Sequence, residues 1–103
     1  MTVSFILTDG AADDLRSIVR YTRKTWGETQ ARTYAEILRN GIQRLVNGEG
    51  KFKILDDIHP SLRAVRCEHH YIFCLRREDA PSLIVAILHE RMDLVARITD
   101  RLD

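Results

Sequence analysis

Apolar positions along the chain fall into two periods, and the change from one to the other organises it. Val3 to Leu7 is a short apolar, partly β-branched run that stops at Thr8, and Asp9, Asp13 and Asp14 follow closely. This predicts a strand feeding a helix, because a threonine hydroxyl accepts from the unpaired N–H groups of a first helical turn and carboxylates suit its positive dipole end. Ala12, Leu15, Val19, Thr22 and Trp26 then recur at spacings of three and four, with Ile18 widening the stripe. Arg16, Arg20, Arg23 and Lys24 fall outside that stripe, and Gly27 ends the helix. Ala31, Tyr34, Leu38, Ile42 and Leu45, flanked by Ile37 and Val46, mark a second helix to Asn47-Gly48. Its period runs straight across Asn40-Gly41, a dipeptide more at home in a hairpin turn. Two helices joined by so short a link pack as an antiparallel pair.

Residues 48–61 hold two glycines, Lys51, Lys53, Asp56, Asp57, His59 and Pro60 without a sustained period, and read as a surface loop. From Leu62 the period becomes two. Leu62 to Cys67, Tyr71 to Leu75 and Leu83 to Leu88, separated by Glu68-His69-His70 and by Arg77 to Pro81, predict three consecutive antiparallel strands. The last is apolar on both faces, which places it centrally, with helices on one side and another cover on the other. Asp93 can cap a final helix carrying Leu94, Val95, Ile98 and Leu102, a candidate for that cover or for a partner's handle. The expected fold is α+β: a helical hairpin packed on a small antiparallel β-sheet in β-α-α-β-β-β order, with a short C-terminal helix. Residues 1–103 are expected to form a single domain, the size that one hydrophobic core supports.

Composition changes little in this picture. Sixteen basic and fifteen acidic side chains give a formal net charge of +1, so no long-range field draws the whole molecule to nucleic acid, and no sequence-specific nucleic-acid binding is expected. No apolar run approaches the roughly 20 residues of a membrane helix, and the N-terminus lacks the pattern of a signal peptide, so a cytoplasmic protein without membrane contact is expected. With His69-His70 as a two-residue turn, Cys74 stands opposite Val65 and Cys67 is its diagonal neighbour at roughly 7 to 8 Å, too far for an unstrained disulfide. Adjacent histidines point apart and lack a third ligand nearby, so neither a metal nor any other cofactor is expected.

Several segments resemble the ParE toxins of the RelE/ParE superfamily. They are Leu7-Thr8 with Ala11 to Leu15, Tyr21 with Trp26-Gly27-Glu28, Ala31 and Tyr34, Ile58 to Arg63 with Tyr71-Ile72-Phe73, and Ile87-Leu88-His89-Glu90-Arg91-Met92-Asp93. Together they span nearly the whole chain in the family's order, although the family usually has proline where Asp9 stands. The resemblance implies the toxin of a type II toxin-antitoxin pair that inhibits DNA gyrase. It also implies silencing by a cognate antitoxin, expected to be of the ribbon-helix-helix type, in a hetero-oligomer. Toxins of the related RelE type share the fold and cut messenger RNA on the ribosome, and fold alone does not choose between the two.

RNA cleavage by 2′-hydroxyl attack needs a base, an acid and a cation for the phosphorane. Arg63, Arg66 and His89 are the candidates, with Lys51, Lys53 and His59 in the loop. Against that enzyme, Arg63 and Arg66 are three apart on one strand and so face opposite sides of the sheet. Glu90, next to His89, would repel a phosphate, at the point where RelE-type chains more often show a tyrosine. A protein inhibitor needs surfaces instead, and the candidates are Arg63, His89, Glu90, Arg91, Met92, Leu94, Val95 and Ile98. Trp26 and Tyr34 sit at core spacing and read as packing residues. The alternatives are the ribosome-dependent endoribonuclease and a degenerate module that only binds antitoxin.

Overall fold

Thr8 opens the first helix as its side chain predicts. Its Oγ1 accepts the Ala11 N–H at 3.2 Å, and the same hydroxyl donates to the Ile84 carbonyl at 3.1 Å, tying the helix start to a distant strand. The computed structural model describes residues 4–103, so the Val3 start of the first predicted strand lies outside the described residues. In chain order the elements are β1 (Phe5–Leu7), α1 (Asp9–Trp26), α2 (Glu28–Asn47), β2 (Lys53–Ile54), β3 (Leu62–Cys67), β4 (His70–Leu75), β5 (Ser82–His89) and α3 (Leu94–Leu102).

Gly27 alone separates α1 from α2, at φ +98°, a backbone conformation that strains any residue with a Cβ. The α2 helix continues through Asn40-Gly41 for a packing reason. A Cβ on Gly41 would lie 2.9 Å from Cys67 Sγ and 3.2 Å from Ile72 Cδ1. Glycine lets the helix settle onto the sheet, and that close approach offsets its poor helix propensity.

The sheet has five strands in the order β1-β5-β4-β3-β2. Two details depart from the expected antiparallel sheet. β1 lies parallel to β5, and Lys53-Ile54, inside the expected loop, forms a short edge strand against β3. Alternation reports which face a side chain takes but carries no strand direction, and two residues are too few to show a period. The hairpin between β3 and β4 turns on Glu68-His69, so Arg63, not Val65, stands opposite Cys74, and Val65 faces Ile72. This is a shift of two, which leaves every side chain on its expected face. Both cysteines are free thiols.

β4, not β5, is the middle strand, contrary to the sequence expectation; β5 lies between β4 and the short β1 and is covered on both faces. Leu38, Ile42 and Leu45 of the hairpin pack with Ile72, Ile84 and Ile87 on one side. On the other, Ile98 of α3 packs with Leu62, Phe73 and Leu88, flanked by Leu55 and Ile58 of the loop. Asp93 caps α3 by accepting the Ala96 N–H at 3.3 Å. Ile98 is fully buried, which corrects its expected place on a partner surface: it belongs to this chain's own core.

β1 accompanies β5 only as far as Ile84, and Val85 is an extra residue bulged between two rungs with β4. Side chains take over the exposed edge beyond. Asp14 of α1 accepts the Ile87 N–H at 2.9 Å, and Arg101 of α3 donates to the Val85 carbonyl at 2.9 Å. The same guanidinium reaches both Asp14 carboxylate oxygens, at 2.9 and 3.2 Å, and that carboxylate raises the Arg101 pKa. An unpaired strand N–H removed from water costs about 1–3 kcal/mol. Replacement Asp14→Ala is therefore expected to lower stability by about 2 kcal/mol, or roughly 10 °C in Tm for a domain of this size, with Asp14→Asn losing less because it keeps one acceptor. Urea and thermal unfolding would show it, and a loss below about 0.5 kcal/mol for the alanine variant would rule out this role.

Candidate functional site

Eighteen residues of α1 rise about 27 Å, far beyond the three-residue strand that precedes them. The C-terminal half of α1 lines a groove of about 780 Å³. One wall is Ser17, Ile18, Tyr21, Thr22 and Trp26 of α1, and the floor is Tyr34 and Ile37 of α2. The far end is the β3–β4 turn together with His89, Glu90 and Arg91 at the end of β5. Trp26, expected to pack in the core, is 71% exposed, and Tyr21 is 61% exposed. Helical spacing identified the stripe correctly but could not show that the surface beneath it ends before Trp26.

At the floor, Tyr34 Oη and His70 Nδ1 are 2.6 Å apart, and the His69 backbone N–H donates to the same hydroxyl at 3.3 Å. Burial raises the Tyr34 pKa. Burial, reinforced by the neighbouring His89 and His69, lowers that of His70 to about 4. His70 is thus neutral at pH 7, and in the tautomer with hydrogen on Nε2 its Nδ1 accepts a hydrogen bond from the Tyr34 hydroxyl. His89 stands edge-on to His70 with ring centroids 5.1 Å apart. Its Nδ1 accepts the Arg91 N–H at 3.1 Å, which leaves the ring hydrogen on Nε2 and fixes the turn after β5.

Glu90 anchors that turn from the other side. Its N–H donates to the His69 carbonyl at 2.9 Å, and its carboxylate bonds His69 Nδ1 at 2.9 Å and Arg66 at 2.7 Å. The His69 bond, then the Arg66 charge, hold the Glu90 carboxyl below its ordinary range.

The residues proposed for RNA chemistry are not assembled. Arg63 faces the helical hairpin, where it donates to the Leu45 carbonyl at 3.4 Å and lies 4.7 Å over the Phe52 ring. Arg66 faces the opposite side and is paired with Glu90. Arg63 pairs with Cys74 and His89 with His70, four residues apart on β4, or roughly 13 Å. Of the partner candidates, Met92 and Val95 are exposed and Leu94 is half-buried on the sheet, while Glu90 and Arg91 line the groove. Tyr34 and His70 were not singled out as a pair, since only the packing of α2 on β4 brings positions 36 residues apart together.

A small α+β domain with these elements is a fold already known from a solved structure. A solved chain from the chromosomal ParDE TA system of P. aeruginosa superposes with a TM-score of 0.68 at 20% identity, covering 85% of this chain and 96% of that one. The model of the ParE toxin of the type II toxin-antitoxin system parDE matches residues 5–94. A Toxin ParE of Escherichia coli is 57% identical over 99 residues, 96% of each chain. Toxin ParE1 of Mycobacterium tuberculosis (strain ATCC 25618 / H37Rv) is 28% identical over 94 residues, 91% of this chain and 96% of the relative. The chain belongs to the ParE toxin family. No helix of the described residues is long and apolar enough to cross a membrane.

The depressed His70 pKa gives a pH dependence. The unfolded chain, with His70 near 6.5, binds a proton that the folded chain refuses until about pH 4. Stability contributed by neutral His70 is therefore full above the unfolded pKa and falls as pH drops through the window from about 6.5 to about 4. Urea midpoints at about pH 7 and about pH 5, which lies above the carboxylate range, should fall more for the wild type than for His70→Gln. Equal slopes for the two proteins would refute the assignment.

Proposed function

We propose that this ParE-family toxin inhibits DNA gyrase in the cytoplasm and is silenced by an antitoxin encoded with it, of the ribbon-helix-helix type, in a hetero-oligomer. The reading is carried by the 57% identity to a Toxin ParE across nearly the full length of both chains. The site's geometry supports a binding protein over a ribonuclease. The charge of Arg66 is matched by Glu90, Arg63 lies over the Phe52 ring on the other face, and the free hydrogen of His89 is on Nε2. In that state His89 offers a proton, and taking one at Nδ1 would break the turn that holds Arg91. A phosphate approaching His89 would also meet Glu90.

Induction of the toxin without antitoxin is expected to arrest growth. Purified toxin is expected to block gyrase supercoiling of relaxed plasmid, and the co-purified antitoxin to restore it. Primer extension on transcripts from induced cells is expected to show no new 5′ ends. Cut transcripts with normal supercoiling would replace this reading with the ribonuclease, and no growth arrest would replace it with a degenerate binding module.

A further inference from the structure

Arg63 is half-buried, and the structure gives it a different companion from the Arg66 and His89 that the sequence suggested. Its guanidinium donates to the Leu45 carbonyl at 3.4 Å and lies 4.7 Å over the Phe52 ring, and it makes no ion pair among the described residues. A guanidinium carries several N–H donors in a planar fork, so one long bond at the end of α2 leaves most of them unused. The Arg76 N–H donates to the Ser61 carbonyl at 3.1 Å, which carries the β3–β4 ladder one rung beyond Leu62 and Leu75. Arg63 stands opposite Cys74 on the same ladder. Residues two apart on a strand share a face, so Arg63 and Arg76 are diagonal neighbours on one side of the sheet, roughly 7 to 8 Å apart.

Both arginines line one cavity of about 340 Å³, together with Ile54, Ser61 and Glu78. Arg76 makes no ion pair among the described residues either, although Glu78 lines the same cavity. The neighbouring Cys74 thiol registers both cations: burial pushes its pKa up, while the hydrogen bond with Ser82 and the charges of Arg63 and Arg76 pull it back. Ser61 is fixed beside them at φ +68°, its N–H donating to Asp56 at 3.2 Å and its carbonyl taken by Arg76. Its hydroxyl makes no hydrogen bond among the described residues. The polar lining is therefore two cations and a hydroxyl against one carboxylate, which leaves an excess of positive charge and of donors. An oxyanion that accepts from both guanidinium forks fits such a pair.

We propose that Arg63 and Arg76, with the Ser61 hydroxyl, form a binding site for one phosphate group, that of inorganic phosphate or of a small phosphate monoester. A monoester carries about −1.5 to −2 charges at neutral pH, which the two cations balance. Glu78 weakens the site without closing it, because the charge of the lining stays positive. One pair of guanidiniums matches one phosphate group and not the row of them on a nucleic-acid strand. His89 lies at the opposite end of β4, so the site holds an anion with no histidine beside it to move a proton.

Titration of the full-length chain with inorganic phosphate near neutral pH tests this, with NMR signals of backbone amides and guanidinium groups compared against sodium chloride of equal ionic strength. Saturable shifts at Ser61, Arg63 and Arg76 are expected, with a dissociation constant of about 1–10 mM. Butyl phosphate, run in parallel, separates the two forms. Tighter binding than inorganic phosphate assigns the site to a monoester whose body lies on Ile54, and equal or weaker binding assigns it to the free ion. Arg76→Gln is expected to weaken binding at least about tenfold, as loss of a charge-assisted hydrogen bond does. Arg63→Gln is expected to do the same, and circular dichroism checks its fold because it also loses the bond to Leu45. Arg76 is exposed, so its variant decides the matter if Arg63→Gln unfolds. Glu78→Gln is expected to tighten binding about threefold, since it removes an exposed like charge. A response to phosphate no different from that to chloride would overturn the site, as would saturable binding that Arg76→Gln keeps. Weaker binding by Glu78→Gln would overturn it too. A short DNA duplex that shifts the same signals at a lower phosphate concentration would replace the site with a nucleic-acid surface.

Discussion

The carboxylate of Asp14 joins three elements that the chain order keeps far apart. Residue 14 sits in the first turns of α1, residue 87 in the last strand and residue 101 in the terminal helix, yet one side chain accepts from the Ile87 N–H and from the Arg101 guanidinium. The need arises because β1 is only three residues long and leaves the second half of β5 without a strand on the side away from β4. A strand edge in that condition must be paired, covered or capped. Here α1 supplies an acceptor, α3 supplies a donor, and the two neutralise each other. The polar groups are only partly exposed, so the pair is screened less than the surface bridges on α1 and α2.

That constraint fixes where the groove lies. With α1 held to β5 at Asp14, its C-terminal half lines the groove together with α2 and the ends of β4 and β5. His89, Glu90 and Arg91 then emerge opposite Trp26 and Tyr21. The turn after β5 is held by four hydrogen bonds: Arg91 N–H to His89, Glu90 N–H to the His69 carbonyl, and the Glu90 carboxylate to Arg66 and to His69. Each is modest on an exposed surface, but together they set the orientation of the far rim before any partner arrives, which is the condition for a low entropic penalty on binding.

A net charge of +1 conceals this arrangement. Acids gather at the start of α1 and cations in its second half, so attraction for a polyanion is weak at long range and a basic rim exists at short range.

The sequence by itself determined the helical hairpin, the α+β class, the caps at Thr8 and Asp93, the glycine break at position 27 and the burial of β5 on both faces. It also carried the family, through segments spread over nearly the whole chain. These are local or periodic properties: a cap acts within four residues, and a buried face recurs at every turn or every second residue. Four things were decided only by tertiary structure. β1 runs parallel to β5, Lys53-Ile54 adds a strand, Ile98 is core, and Trp26 is exposed although it continues the apolar stripe of α1. The same holds for the contacts of Asp14 and for the Tyr34–His70 pair. Each depends on where one element ends against another, and periodicity records which way a side chain faces but not what lies opposite it.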